Sequence, residues 1–261
     1  MTIRKAPMKT LLTPLQWIYS LYAMILFIAI MLVLFPFVII ASFFGRITGG
    51  NMIYRICMLW GDIWFFLIFI RHKNYYEQEL DKDKQYIFVG NHVSYIDAPL
   101  FVKTIRRPIR ALGRIELSKT PVFGYIYRRV VVIVDRGDAG HRAKSVRNLK
   151  SVIRKGVSII IMPEGTFNMT PKPLKSFYDG AFRIAIETQT TIKPFLLLDA
   201  YDRMHYKHLF TLTPGKSRAV FLQEIPVDGL TLENVPMLKQ KVYDIIEKKL
   251  IEYKASWIKP E

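Results

Sequence analysis

Residues 86–97 read YIFVGNHVSYID. The run Tyr86–Gly90 is apolar on consecutive positions, as strands covered on both faces are. It leads straight into His92 and Asp97, five positions apart. That spacing matches neither a helix face nor one face of a strand, so a turn must bring the two together if they serve one site. A strand-to-helix junction would do so, with His92 in the turn, Asp97 in the first helical turn and Asn91 helping to hold the turn. Histidine is the usual general base near neutral pH. A carboxylate on one ring nitrogen fixes the tautomer and leaves the other nitrogen to take a proton. The alternative is a solvated loop histidine and a helix-starting aspartate that never meet.

Working outward, further short apolar runs alternate with helical patterns. Strands are predicted over 86–90, 109–113, 130–135, 158–162, 192–198 and 218–224. Helices are predicted over 140–155, 180–188 and 236–254, with Gly156 as a stop for the first. Alternation of this kind argues for an α/β domain with a mixed sheet flanked by helices. Two more strands end in polar clusters. IIIMPEGTF (159–167) places a proline, which stops the ladder, before Glu164, Gly165 and Thr166. VVVIVDR (130–136) ends in Asp135 and Arg136. In open α/β sheets ligands bind outside the carboxyl ends of the strands. Glu164 and Thr166 would be a carboxylate and a donor there, and Arg136 could grip a phosphate. The plain alternatives are a polar turn and a surface ion pair between Arg136 and Asp135.

The 261 residues are 51% hydrophobic yet carry a net charge of +17. Nucleic acid or an anionic membrane surface would explain the charge, and the apolar excess favours the membrane. Residues 15–45 hold no charge and exceed the roughly 20 residues that span a bilayer. They follow Arg4, Lys5 and Lys9. With no short apolar core and no small-residue cleavage site, an uncleaved anchor is predicted, kinked at Pro36. A second apolar stretch, 56–70, contains Asp62 and fits an interfacial or re-entrant helix. Arg46, Arg55, Arg71 and Lys73 flank these segments on every side. A membrane-embedded helical pair in one leaflet would leave those charges on one face; a hairpin crossing twice is the alternative. The predicted division is anchoring helices over 1–73, a catalytic domain over 74–225, and a helical extension of it over 226–261. The single cysteine, Cys57, excludes an intrachain disulfide and is expected to pack.

Taken in series, these motifs resemble those of the glycerolipid acyltransferases, the 1-acylglycerol-3-phosphate acyltransferase family. NHVSYID resembles that family's Asn-His-x4-Asp motif and MPEGT its Phe-Pro-Glu-Gly-Thr motif. VVIVDR, GRIELSKTPVFG (113–124), FYDGAFRIA (177–185) and IKPFLL (192–197) resemble its other blocks, in the same order. The resemblance implies direct acyl transfer on a membrane, in phospholipid biosynthesis. His92, oriented by Asp97, would deprotonate a lysolipid hydroxyl that attacks the thioester of acyl-CoA or acyl-carrier protein. No acyl-enzyme, metal or cofactor is implied. Glu164, Gly165 and Thr166 would help place the acceptor, and Arg114 and Arg136 would offer charge to its phosphate. The product would be phosphatidic acid, made with the domain on the cytoplasmic face.

Two departures bear on the acceptor. Phe167 stands where the family commonly has an arginine, and Asp179 where it usually has a lysine. Lys172, Lys175 or Arg183 would have to compensate, or the acceptor is another lysophospholipid or a lyso-aminolipid. A non-catalytic lipid-binding protein is a further alternative, disfavoured by the combination of His92, Asp97 and Glu164. His205 and His208 have metal-ligand spacing but no acidic or cysteine cluster close by beyond Asp199 and Asp202. The basic face of 140–155 lacks a recognised nucleic-acid motif, so lipid headgroups are its simpler partner.

Overall fold

A computed structural model describes residues 9–135 and 137–259. In chain order it contains α1 (Lys9–Ser42), α2 (Gly50–Leu67), β1 (Ile70–Tyr76), β2 (Ile87–Gly90), α3 (Asp97–Thr104), β3 (Ile109–Arg114), α4 (Phe123–Val130), β4 (Val131–Val134), α5 (Ala139–Arg154), β5 (Ser158–Ile161), α6 (Gly180–Thr188), β6 (Ile192–Leu197), α7 (Ala200–Arg203), β7 (Gly215–Phe221) and α8 (Val235–Glu252). The seven strands form one sheet in the order β1-β7-β6-β2-β5-β3-β4, with all neighbours parallel except β6 and β7. The mixed sheet flanked by helices is thus the observed architecture.

The central strands β2, β5 and β6 are buried along their whole length, which is why their sequences are apolar without alternation. Helices α3 to α6 make the crossovers between the parallel strands β2 to β6, so the carboxyl ends of these five strands share one edge of the sheet. The last strand is set at Gly215–Phe221 rather than 218–224. β1 was not predicted, because IRHKNYY is polar at most positions; it is an edge strand that alternates buried and exposed residues. Residues 70–73, expected with the anchor, therefore belong to the sheet. Gly156 ends α5 with φ +84°, the left-handed conformation glycine adopts freely. α8 packs on α6 and β6, so the carboxy-terminal helix completes the same core.

α1 and α2 form an antiparallel-style pair joined by a π-helical turn at Gly45–Gly49. α1 remains helical through Pro36, and α2 occupies Gly50–Leu67 rather than 56–70. The pair is stitched by ring donors: Trp60 Nε1 and Trp64 Nε1 donate to the carbonyls of Phe27 and Ala23 at 3.1 and 2.8 Å. Cys57 is buried in α2. Asp62, the one charge in that stretch, is paired with Lys103 and Arg106 at 2.6 and 2.7 Å. At the turn, the buried Arg110 of β3 donates to Ile47 O at 3.2 Å and Asn51 Oδ1 at 3.0 Å, fixing the pair to the sheet. Residues Pro14–Ser42 are long and apolar enough to cross a membrane; α2 does not meet that test. Ile18, Val33, Phe66 and Phe69 are 65%, 70%, 79% and 70% exposed, large apolar side chains that the rest of the fold leaves uncovered. Arg4 and Lys5 lie outside the described residues, as does the side chain of Lys9.

Candidate active site

β2 and β5 are adjacent and paired Val89 to Ile161. His92 and Glu164 each follow that pair by three residues, so the register alone sets the two turns side by side. Gly90 closes β2 because a Cβ there would lie 2.8 Å from the Phe195 ring and 2.9 Å from its carbonyl oxygen. Asn91, fully buried, then replaces a ladder residue. Its side chain donates to Leu197 O at 3.0 Å and accepts from Leu197 N at 2.9 Å, tying the junction to β6 rather than bracing the turn itself.

Asp97 begins α3 and folds back over the turn. Its Oδ2 accepts from Nδ1 of His92 at 2.7 Å and from the backbone N–H groups of Val93 and Ser94 at 2.9 Å each. The carboxylate is fully buried, and its Oδ1 has no hydrogen-bond partner among the described residues. A carboxylate so poorly solvated attracts an imidazolium strongly, since little water screens the pair. Donation from Nδ1 to the carboxylate places the ring proton there and leaves Nε2 without a hydrogen-bond partner among the described residues, on a side chain that is 24% exposed. His92 and Asp97 therefore meet, in a geometry suited to a general base.

Glu164 is 1% exposed and sits behind the histidine. Its Oε1 accepts from His92 N and its Oε2 from Lys175 N, both at 2.9 Å, so one carboxylate ties the β2–α3 turn to the β5–α6 loop and closes that loop on itself. Burial pushes its pKa up to about 7, against the two backbone N–H groups that favour the anion. Gly165 has φ +72°, a conformation that favours glycine, and a Cβ there would lie 2.8 Å from the exposed Tyr178 ring, which would have to shift. Thr166 is exposed and its hydroxyl accepts from Lys175 Nζ at 2.6 Å. Glu164, Gly165 and Thr166 thus form one loop beside His92, and Glu164 supports the loops from within.

The predicted cations divide differently. Arg114 ends β3 on the same sheet edge, but it is largely exposed and pairs with Glu116 at 3.3 Å. Arg136 lies outside the described residues; Asp135 accepts from Gly137 N at 3.0 Å. Asp179 is ion-paired with Lys239 of α8 at 2.7 Å. Phe167 packs edge-on against His92 and Tyr95, with ring centroids 4.5 and 4.8 Å apart. His205 spends its nitrogens on Tyr201 OH and Lys207 N, at 3.0 and 3.1 Å. Lys175, one of the three cations offered above in place of the missing arginine, reaches Thr166 from nine residues away, a proximity that the path of the loop sets.

The sheet and the His92–Asp97 junction at its carboxyl edge define an α/β enzyme domain. Residues 71–197 match the Acyltransferase family model. An uncharacterized acyltransferase of Schizosaccharomyces pombe is 25% identical over 222 residues, 82% of this chain and 78% of that protein. The human 1-acyl-sn-glycerol-3-phosphate acyltransferase alpha is 26% identical over 60% of this chain, and the match spans only 56% of the human protein. The 1-acyl-sn-glycerol-3-phosphate acyltransferase of Haemophilus influenzae is 27% identical, over 64% of this chain and 68% of that protein. The crystal structure of the 1-acyl-sn-glycerophosphate (LPA) acyltransferase PlsC from Thermotoga maritima shares the fold, with TM-score 0.75 and 24% identity over 94% of this chain and 100% of that one.

Proposed function

We propose that this acyltransferase is membrane-bound and acylates 1-acylglycerol-3-phosphate to phosphatidic acid, using acyl-CoA or acyl-carrier protein. The observation that carries the reading is the Asp97–His92 pair at 2.7 Å, which leaves Nε2 as the ring nitrogen available to a substrate. Nε2 takes the proton of the acceptor hydroxyl as its oxygen attacks the thioester carbonyl. The tetrahedral intermediate collapses, the carbon–sulfur bond breaks, and the thiolate leaves with the proton from the imidazolium. Asp97 holds the ring and stabilises that imidazolium. Glu164 and Gly165 shape the loop that presents Thr166 to the acceptor. Arg114 adds positive charge on the same edge, Arg136 is a further cation for the phosphate, and the net charge of +17 suits either acidic donor. The apolar face of α1 and α2 lies in the bilayer, with the domain on the cytoplasmic side where acyl thioesters are made. The names of the human and bacterial relatives support the acceptor.

The test is acyl transfer by the full chain in detergent with 1-acylglycerol-3-phosphate, and His92→Ala as control. The variant should lose roughly 10²- to 10⁴-fold in kcat; a variant with normal turnover would remove His92 from the mechanism. A second reading, a lyso-aminolipid acceptor, is favoured by Phe167 packing where the family's usual cation would stand. Preference for that acceptor over the phosphate would establish it.

A further inference from the structure

Two departures from the family pattern, Phe167 and Asp179, remove positive charge from the acceptor side of the site, and neither position regains it in the folded chain. Phe167 is turned onto the imidazole, and Asp179 draws Lys239 into an ion pair. The loop between Asn168 and Tyr178 brings a cation back. Lys175 N is fixed on Glu164, and Tyr178 N donates to Pro163 O at 2.9 Å, so the strand end and the returning loop are clamped at two points. Between those clamps the Lys175 side chain reaches back to Thr166, whose residue neighbour Phe167 touches His92.

We infer that Lys175 is the specificity-determining cation that binds the acceptor's phosphate, in place of the arginine the family commonly carries at position 167. The inference rests on the proposed phosphate-bearing acceptor. The partner of its ammonium, Thr166, is neutral, so the charge is not spent in an ion pair. In 1-acylglycerol-3-phosphate only two carbons and an ester oxygen separate the attacking oxygen from phosphorus. A cation beside Thr166 and a base beside Phe167 suit that short span.

The experiment measures kinetics of the full chain in detergent for wild type, Lys175→Met and Lys175→Arg. The acceptors are 1-acylglycerol-3-phosphate and 1-acylglycerol, and sn-glycerol 3-phosphate serves as a competitor. Losing a charge-assisted contact should raise the KM for the phosphate acceptor about tenfold in Lys175→Met. The kcat and the KM for acyl-CoA should stay near wild type, inhibition by glycerol 3-phosphate should weaken, and Lys175→Arg should restore most of the affinity. An unchanged acceptor KM in Lys175→Met, with the wild type still requiring the phosphate, overturns the assignment alone. So does a rise in the KM for acyl-CoA instead, which would place a donor phosphate there. A wild type that acylates 1-acylglycerol as readily as its phosphate overturns both the assignment and the proposed acceptor.

Discussion

The Phe167 ring stands edge-on to the His92 imidazole, its centroid 4.5 Å away and its plane inclined by 68°. Tyr95 also packs against Phe167, with centroids 4.8 Å apart. Such aromatic contacts are worth about 1 kcal/mol and restrict ring rotation. Phe167→Leu should therefore lower kcat by about threefold to tenfold with the acceptor KM nearly unchanged. Steady-state kinetics on a single acceptor series decide it. A KM effect without a kcat effect would mean that the ring contacts the headgroup rather than the base.

Asp97→Asn tests the tautomer. The amide would present either an N–H to Nδ1, forcing the ring proton onto Nε2, or a carbonyl with one fewer charge to stabilise the imidazolium. A loss of roughly 10²- to 10⁴-fold in kcat is expected. Val93 N and Ser94 N also lean on this carboxylate, so thermal unfolding should be recorded alongside. Turnover within a few-fold of wild type would place Asp97 outside the chemistry.

One buried and one half-buried titratable group pull stability in opposite directions with pH. Glu164 is raised from 4.5 to about 7 by burial. Its contribution is complete below about pH 4.5 and is lost as pH rises through 7. His72 is lowered from 6.5 to about 4 by burial, with a hydrogen bond to Asn74 opposing. Its contribution is complete above pH 6.5 and is lost as pH falls through 4. Each amounts to about 3 kcal/mol at most. Denaturant unfolding between pH 4 and 8 should show Glu164→Gln steepening the acid-side loss and His72→Gln reducing it. Parallel pH profiles for both variants and wild type would refute the offset.

The apolar face of the helix pair predicts lipid binding. Ile25 and Leu32 of α1 are 57% and 52% exposed, so lysines there should leave the packed core intact. Each substitution removes about 1–3 kcal/mol of buried apolar side chain from the membrane contact. Ile25→Lys with Leu32→Lys should cut cosedimentation with phospholipid vesicles by at least about tenfold. Equal sedimentation of variant and wild type would show that this face does not meet lipid.

Much of the fold was legible because hydrophobic burial is written locally. β2, β5 and β6 are covered on both faces, so runs such as YIFVG and SIIIM announce them. The helix α5 declared itself by apolar residues at helical spacing and by Gly156 at its end. β1 stayed hidden because an edge strand needs few apolar residues, and α4 because its eight residues follow a tight turn with too short a pattern to read.

By itself the sequence determined the α/β class, the long apolar amino-terminal helix, and the residue types at three strand ends, since these depend on burial and turn chemistry within a few neighbours. Only the tertiary structure decided which of those ends share a site. The pairing of Val89 with Ile161 carries Glu164 to the His92 backbone, an outcome of strand order across 72 residues. It likewise turned Phe167 onto the imidazole, sent Asp179 to Lys239, and returned Lys175 to Thr166. Those contacts arise from the path of loops over the sheet edge, and a loop's path is fixed by what it packs on rather than by its own residue pattern.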